Sequence, residues 1–216
     1  MLGEFFLIRG KILRLLEGLF KNSDIILDIG CGEKPYYHKS IKANIVCTDI
    51  RQTKKTQVIC DAMSLPLKKS KFDGVICVSS LYYYKNPFQA IKQISNVLKK
   101  NGKLALVTPF IYPIHDAPYD KYRFTKYGLR EILKNEFDVK KIKAIGGIFN
   151  LATVFFHSLI KGVPLIAPKS IRKTVSFLTI IVFYPFYIAA QLISLLDFLD
   201  RSERWPTYYF TIAIKK

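Results

Sequence analysis

Short apolar runs alternate along the chain with stretches in which apolar residues recur every three or four positions. The runs are rich in β-branched residues and bounded by glycine, proline or charged residues, as strands buried in a parallel sheet are. Seven strands are predicted, at residues 25–30, 44–49, 57–60, 73–79, 103–109, 139–145 and 208–214. Helical periods separate most of these strands. The pattern therefore predicts a Rossmann-like α/β fold, a seven-stranded, mostly parallel sheet with helices on both faces.

Helical periodicity is clear in three places outside the predicted strands. We predict helices within residues 1–22, 87–100 and 125–136. Pro87 suits the first turn of the second helix, and Asn101-Gly102 predicts its end. Thr125 is the predicted N-cap of the third helix.

A long apolar insertion, residues 146–206, separates the sixth and last predicted strands. Val175–Leu196 has no charged residue and would extend about 33 Å as one helix, enough to cross a hydrocarbon core. One crossing would separate the last strand from its sheet, and two crossings would place the basic residues of 169–173 outside, against the positive-inside rule. We therefore expect helices that lie in the cytoplasmic leaflet and contact the membrane through residues 147–196. The alternative is an apolar cap packed over the sheet.

Composition excludes some classes of protein and indicates where this one is located. The chain has 216 residues, which suits a single domain (1–216), and it is 50% hydrophobic, which excludes a disordered basic tail despite a net charge of +18. The amino terminus lacks the pattern of a secretory signal, so we expect a cytoplasmic protein associated with the inner face of the membrane. The cysteines lack metal-ligand spacing, and we interpret them as reduced and structural, with no metal site. They are Cys31, Cys47, Cys60 and Cys77.

The most informative motif joins the first two predicted strands. Residues 25–32 read IILDIGCG, and Asp49 follows Gly32 after seventeen positions, at the end of the second strand. Glycines just after a buried strand let the backbone approach a ligand closely, and an acidic residue at the tip of the next strand suits a ribose diol. A dinucleotide fingerprint needs a glycine where this chain has Pro35, and the Asp28 carboxylate would repel a pyrophosphate. A cofactor with a cationic centre and an amino group suits the motif better.

These residues resemble the class I S-adenosylmethionine-dependent methyltransferases, in particular the small-molecule group of type 11. The resemblance covers most of residues 25–137 and includes CDAMSLPL at 60–67, FDGVICVSSLYYYKNP at 72–87 and NGKLALVTPF at 101–110. It implies methyltransferase activity with S-adenosyl-L-methionine as the cofactor. The cofactor-binding residues that it implies are Asp28, Gly30, Cys31, Gly32, Asp49, Ile50, Asp61, Ala62 and Ser79.

The resemblance also implies separate roles within that set. Asp49 would accept both ribose hydroxyls, a bidentate contact that suits a carboxylate. Asp61 would accept the adenine amino group, and Ala62 would offer a backbone amide. Asp28 would hold the loop amides or the amino group of the cofactor, and Ser79 would line the pocket through its backbone.

The chain departs from the family pattern after the fourth strand, where residues 81–84 stand in place of an acidic–histidine pair. We therefore expect the catalytic residues in the loop after the fifth strand. This loop resembles one in methyltransferases of cell-surface glycan or lipid pathways. His115 is the candidate general base, and Asp116 or Asp120 is the candidate for orienting it. Arg123 is a candidate ligand for a phosphate or carboxylate of the acceptor.

The predicted function is methyl transfer to oxygen or nitrogen of a small or lipid- or glycan-linked acceptor at the membrane surface. The alternative is an RNA methyltransferase, or a non-catalytic nucleic-acid-binding protein of the same fold, because 34 basic residues face 16 acidic ones. The basic residues are dispersed in short pairs, however, and the chain lacks an Asn-Pro-Pro-Tyr motif for base amino groups. Nucleic acid is therefore the less favoured partner. The oligomeric state does not follow from the sequence.

Overall fold

The computed structural model describes residues 6–114 and 116–216. The chain divides into two compact units. Among the described residues, the sheet unit comprises 11–110, 114, 116–143 and 208–216. The helical unit comprises residues 144–207 and two short segments, 6–10 and 111–113.

The sheet has seven strands, as the sequence predicts. In chain order they are β1 (Ile25–Ile29), β2 (Asn44–Asp49), β3 (Val58–Ile59), β4 (Phe72–Val78), β5 (Leu98–Pro109), β6 (Phe137–Ile145) and β7 (Tyr208–Lys215). The spatial order is β3-β2-β1-β4-β5-β7-β6. Pairs among β1 to β5 are parallel, and β7 runs antiparallel to β5. The predicted seven-stranded, mostly parallel α/β sheet is therefore confirmed.

The strand order creates the crevice in which a ligand can bind. The chain moves from β1 outward to β2 and β3, then returns to the other side of β1 to form β4. Connections that leave adjacent parallel strands in opposite directions open a crevice at their carboxyl ends, which is where open α/β sheets bind ligands. Here that crevice lies between the segments that follow Ile29 and Val78.

Five helices accompany the sheet among the described residues. They are α1 (Phe6–Leu16), α2 (Pro87–Val97), α3 (Lys126–Leu133), α4 (Leu151–Ile166) and α5 (Arg172–Ile193). Asn86 caps α2 by accepting from the Gln89 amide at 3.1 Å, and Thr125 caps α3 by accepting from the Gly128 amide at the same distance. Short 3₁₀ turns follow β1, β4, β6 and α5, at Tyr36–Ser40, Leu81–Tyr83, Ile148–Asn150 and Ser194–Leu199.

The carboxyl end of α2 differs from the prediction. The helix ends at Val97 and β5 begins at Leu98, so Asn101-Gly102 lies inside the strand and not between two elements. The pairing shifts from Phe72 with Leu98 to Gly74 with Lys103, which leaves extra residues on β5. Asn101 has a φ of +61°, a conformation that asparagine tolerates better than most residues. The Asn-Gly pair therefore forms a β-bulge.

The core of the sheet unit lies along β1, β4 and β5. Their central side chains are fully buried, as expected of parallel strands covered on both faces. The fully buried apolar residues of these strands are Ile26, Leu27, Phe72, Val75, Ile76, Cys77, Leu98, Leu104, Ala105, Leu106 and Val107.

The helical unit contains α4 and α5. The two helices pack against each other through aromatic side chains, including Phe156 on Phe186 with ring centroids 5.6 Å apart. Two candidate spans, Ile148–Ile166 and Arg172–Leu199, each consist of one of these helices with its adjoining 3₁₀ turn. They are long and apolar enough to cross a membrane by length and composition, and only 28% of the most apolar window of each is buried. The core helix of a soluble protein is mostly buried, so this low burial needs a physical explanation.

Gly74 lies where β4 meets an aromatic ring, and this contact yields a testable prediction. A Cβ at Gly74 would lie 2.1 Å from Phe20 Cε1, so Gly74→Ala forces a core rearrangement. We expect the free energy of unfolding to fall by about 1–3 kcal/mol, measured by urea denaturation. At Gly10, inside α1, an added Cβ would meet no atom of another part of the described chain within 4 Å. Gly10→Ala should instead stabilise the protein by about 0.5–1 kcal/mol, and equal effects of the two substitutions would contradict this account.

Candidate cofactor and active site

The glycine loop after β1 takes the path that a closely approaching ligand requires. Gly30 and Gly32 have φ angles of +70° and +65°, which other residues rarely adopt. The amides of Gly30 and Cys31 donate to the Thr48 carbonyl at 2.8 and 3.1 Å, which fixes the loop to β2. A Cβ at Gly30 would lie 2.5 Å from Ser80 Cβ, whereas a Cβ at Gly32 would meet nothing within 4 Å. Gly30 is thus required by packing, and Gly32 borders open space.

Asp49 lies beside this open space at the end of β2. Its Oδ2 accepts the Gly32 amide at 2.9 Å, and its Oδ1 accepts the Arg51 amide at 2.9 Å. The residue is only 6% exposed. Arg51 Nε also approaches Oδ1, at 3.5 Å. Each carboxylate oxygen can accept two hydrogen bonds, so Oδ2 retains capacity for a ribose hydroxyl. The carboxylate and the open glycine therefore fit the ribose of an adenosyl cofactor.

Asp28 is fully buried in β1, and its partners come from the segment after the glycine loop. Tyr37 donates its hydroxyl to both carboxylate oxygens at 3.0 and 2.9 Å, and His38 Nε2 lies 2.6 Å from Oδ2. Burial raises the pKa of Asp28, while the contacts with His38 and Tyr37 oppose that rise. Burial likewise raises the pKa of the Tyr37 hydroxyl, which stays a donor. Asp28 therefore holds the segment that follows the glycine loop against β1.

Two cysteines pack beside this network. Cys31 is buried, and its Sγ lies 3.5 Å from the Gly32 carbonyl oxygen. Its interaction with Cys47, together with burial, raises the pKa of the Cys31 thiol. The potential metal-ligating atoms of Asp28, His38 and Cys47 lie within 4.8 Å of one another. The hydrogen bond between Asp28 and His38 explains why those two side chains are close. These thiols pack under the loop as small apolar groups.

Asp61, one of the two residues predicted to bind adenine, lines an open cavity of about 700 Å³, whereas Ala62 is not among its lining residues. Asp61 lies on its wall and accepts the Met63 amide at 2.8 Å through Oδ1. Ala62 is buried, and Ile50, next to Asp49, is 68% exposed. The remaining lining residues are Met63, Ser64, Lys85, Asn86, Pro87, Phe88, Gln89, Tyr122 and Phe124.

The end of β4 is tied directly to the end of β1. Ser79 has a φ of +53° and donates its amide to Val107 at 2.8 Å. Ser80 Oγ donates to the Ile29 carbonyl at 2.9 Å and lies 2.9 Å from the Tyr84 hydroxyl. This network holds the two sides of the crevice together. From the sequence, Tyr84 is one of three tyrosines at 82–84 that could form an aromatic wall around the cofactor sulfonium. Its hydrogen bond with Ser80 was not predicted, because a tyrosine in a loop carries no positional signal.

The predicted catalytic residues lie in the segment after β5. His115 lies outside the described residues. Asp116 is exposed, has a φ of +53° and accepts a hydrogen bond from the Tyr83 hydroxyl at 2.7 Å. Burial, followed by the contact with Asp116, raises the pKa of Tyr83, which therefore remains a donor. The structure thus pairs Asp116 with a tyrosine that the sequence reasoning did not connect to it.

Arg123 is held in a fixed orientation. Its guanidinium forms a two-pronged ion pair with Asp120, one contact of which measures 2.7 Å, from Nη2 to Oδ2. The same group lies over the Tyr82 ring, 5.5 Å from its centroid. The ion pair with Asp120 raises the pKa of Arg123. Asp120 therefore positions Arg123, a role distinct from the predicted one of orienting a histidine.

The family described as a methyltransferase domain matches residues 27–106, which include the glycine loop, Asp49 and the end of β4. Residues 27–106 are therefore similar to a methyltransferase domain. The family resemblance read from the sequence is confirmed, and S-adenosylmethionine is confirmed as the cofactor of this class of domain.

Two curated relatives show how far the similarity extends. An uncharacterized protein of Methanocaldococcus jannaschii is 30% identical over 109 residues, covering 47% of this chain and 48% of that protein. A tRNA U34 carboxymethyltransferase of Helicobacter pylori is 30% identical over 132 residues, covering 61% of this chain and 43% of that protein. The chain therefore spans about half the length of the curated relatives that it matches.

Solved structures share the fold at low sequence identity. A [4+2]-cyclase has a TM-score of 0.63 and 17% identity, with 96% of this chain and 81% of that chain covered. A Burkholderia thailandensis 1,6-didemethyltoxoflavin N1-methyltransferase, with its substrate and S-adenosylhomocysteine bound, has a TM-score of 0.57 and 13% identity, covering 97% and 78%. Since one of these enzymes is a cyclase, the fold does not by itself specify the reaction.

Two carboxylates of the sheet unit should give opposite pH dependences of stability. Asp28 has a raised pKa in the folded state because of burial, so its contribution is greatest below its ordinary pKa of 3.8 and falls as pH rises through the folded-state value. The Ile25 amide, followed by Lys99, lowers the pKa of Asp73, whose contribution is present above 3.8 and is lost as pH falls.

The measurement is urea denaturation of the wild type, Asp28→Asn and Asp73→Asn over a series of pH values. The free energy of unfolding of the wild type minus that of Asp28→Asn should fall as pH rises. The same difference between the wild type and Asp73→Asn should increase as pH rises. Parallel profiles for the two variants would show that burial does not control the ionisation of Asp28.

Proposed function

We propose that this protein transfers a methyl group from S-adenosylmethionine to an oxygen or nitrogen of a lipid- or glycan-linked acceptor at a membrane surface. The observation that carries the transfer reaction is the juxtaposition of Gly32, open to a ligand, and the Asp49 carboxylate at the carboxyl ends of β1 and β2. The observation that carries the membrane location is the exposed apolar face of α5.

Different residues of the sheet unit would bind different parts of the cofactor. Asp49 would bind the ribose hydroxyls, Asp61 and the Ala62 amide would bind adenine, and Ile50 would cover the base. When bound, the cofactor supplies a methyl group on a positively charged sulfur, and this methyl group is the electrophile. The chain positions the acceptor in line with that group and excludes water, which accounts for much of the acceleration in such displacements.

The segment after β5 is the proposed acceptor site. An acceptor hydroxyl or amine must lose a proton, and His115 is our candidate for taking it. Asp116, held by Tyr83, supplies negative charge at the same segment. Arg123 keeps its guanidinium in a fixed plane on the Tyr82 ring, so an acceptor phosphate or carboxylate would bind to a preorganised cation.

The apolar face of α5 supports the membrane location. Exposed apolar residues recur at the spacing of one helical stripe, and between Thr174 and Leu196 the chain has no charged residue. The opposite face is buried, at Thr179, Tyr187, Ala190 and Gln191. The stripe comprises Phe177, Leu178, Ile181, Val182, Phe186, Leu192 and Ile193, each about half exposed or more. A continuous stripe of this size is unusual on a soluble protein and suits an interfacial helix.

A second candidate function is methylation of RNA, because one relative is a tRNA-modifying enzyme and the net charge is +18. The exposed basic pairs are scattered over different loops and strands, at Lys54-Lys55, Lys68-Lys69, Lys99-Lys100 and Lys140-Lys141. Nucleic-acid-binding surfaces cluster their charge along one face. We therefore favour the lipid- or glycan-linked acceptor, and tRNA belongs among the acceptors tested.

Replacement of Asp49 tests the cofactor site. Asp49→Ala removes the carboxylate proposed to bind the ribose, so the affinity for S-adenosylhomocysteine should fall by about tenfold to a hundredfold in calorimetric titration. Asp73→Ala is the matched control, because Asp73 lies at the opposite end of β4, where it accepts from the Ile25 amide. Equal affinities of the Asp49 variant and the wild type, with both folded, would remove Asp49 from the site.

A methyl-transfer assay tests the class of acceptor. We expect label from methyl-labelled S-adenosylmethionine to enter the organic phase when the protein is incubated with a total membrane extract. Transfer of label to tRNA alone would establish the second candidate.

Phe177→Ser with Ile181→Ser should lower partitioning onto lipid vesicles by roughly tenfold, because each change removes apolar area from the stripe.

The matched control for the stripe variant replaces exposed apolar residues of the sheet unit. Ile59 and Tyr127 are 55% and 71% exposed, close to Ile181 and Phe177 at 54% and 64%. Ile59→Ser with Tyr127→Ser should leave vesicle binding unchanged. Both double variants should keep wild-type affinity for S-adenosylhomocysteine. If the two lose vesicle binding equally, the stripe is not the membrane contact.

A further inference from the structure

We infer that the turn between α4 and α5 is a binding site for the phosphate of an anionic lipid. This inference rests on the membrane location proposed above and identifies the lipid chemistry that the helical unit recognises. The site is a cavity of about 460 Å³ at the end of the helix pair. Its lining residues are Ile160, Lys161, Pro164, Leu165, Lys169, Arg172, Lys173 and Ser176.

The charge of this cavity is of one sign. Four of its eight lining residues are basic and none is acidic. The sequence contains no aspartate or glutamate between Asp138 and Asp197, so the helices themselves supply no counter-charge. Cations that line one cavity repel one another, and an anion bound among them would relieve that repulsion.

Arg172 has hydrogen-bonding capacity that the described residues do not use. Its Nη2 donates to the carbonyls of Ala167 and Leu165 at 3.3 and 3.5 Å, at the end of α4. Its Nε is buried and has no hydrogen-bond partner among the described residues. An unsatisfied buried donor on a charged group is costly, and a phosphate oxygen is a suitable acceptor.

The first turn of α5 adds partial positive charge at the same place. The helix begins at Arg172, its N-cap is Ile171, and no side chain caps it. The first turn has no acidic residue. The free amides and the dipole of a helix N-terminus favour an anion, so the 22-residue α5 reinforces the basic side chains.

Apolar side chains around the cavity distinguish a lipid from a free anion. Leu165 and Ile166 are 69% and 84% exposed, directly before the turn, and Ile171 is 50% exposed directly after it. A soluble phosphate would leave these side chains in water, whereas acyl or prenyl chains would cover them. The turn would therefore lie at the level of the head groups, with the α5 stripe against the acyl region and the lysines extended toward phosphate.

Vesicle flotation of the full chain tests the site. Phosphatidylcholine vesicles are compared with vesicles that also contain phosphatidylglycerol. Wild type should prefer the anionic vesicles, and the variant Lys169→Gln/Arg172→Gln/Lys173→Gln should lose about a hundredfold of that affinity while retaining its binding to neutral vesicles. Because Arg172 also contacts the end of α4, Lys169→Gln/Lys173→Gln provides a milder variant, expected to lose roughly tenfold.

The matched control removes the same charge from the sheet unit. Lys68, Lys69 and Lys100 are exposed, and Lys68→Gln/Lys69→Gln/Lys100→Gln should keep the preference for anionic vesicles. If the control and the turn variants lose equal affinity for anionic vesicles, the loss follows from net charge alone, and the proposed site is wrong. Full displacement from the vesicles by inorganic phosphate would also overturn a lipid site, because the cavity would then bind the free anion equally well.

Failure of the site and failure of the proposed function give different results. Wild type that binds neutral and anionic vesicles equally retains the membrane location but lacks the phosphate site. Wild type that binds neither kind of vesicle, yet binds S-adenosylhomocysteine, lacks both the site and the membrane location. Methyl transfer to a soluble acceptor would remain open to direct assay in both cases.

Discussion

The burial of one carboxylate constrains the cofactor site. Asp28 lies in β1, an interior strand of the sheet, and is fully buried. An ionisable group can occupy such a place only with partners. Tyr37 and His38 provide them, so the chain after the glycine loop must fold back onto β1. Gly30 and Gly32 adopt positive φ angles in the same loop. The hydrogen bond that the Gly32 amide donates to Asp49 depends on this conformation of the loop.

The sheet was predictable because its signals are local. β-branched runs, helical periods, Pro87 in the first turn of α2 and the N-cap at Thr125 each act over a few residues, and these signals agree with the final fold. The error at the end of α2 has a tertiary cause. Asn101-Gly102 reads as a helix stop in isolation, but pairing with β4 extends β5 back to Leu98 and turns the pair into a bulge.

The site was predictable only in part, for a related reason. Gly30, Gly32 and Asp49 occupy fixed positions relative to their strands, so topology alone brings them together. Contacts between loops follow no such rule. Tyr83 meets Asp116 across thirty-three positions, and nothing in either neighbourhood signals the pairing. The cation of Arg123 was identifiable from the sequence, but its attachment to the Tyr82 ring was not.

The junction at the base of the helical unit has a consequence for how such proteins diversify. The Thr207 amide donates to the Ile145 carbonyl at 2.9 Å, so the two ends of the insertion are adjacent. Asp197 and Asp200 accept the amides of Asn150 and Ile148, which closes the junction with its own hydrogen bonds. A segment joined to its host at one closed point can be lengthened, shortened or exchanged during evolution without disturbing the strands on either side. Related enzymes could thus change the surface on which they work while conserving the reaction.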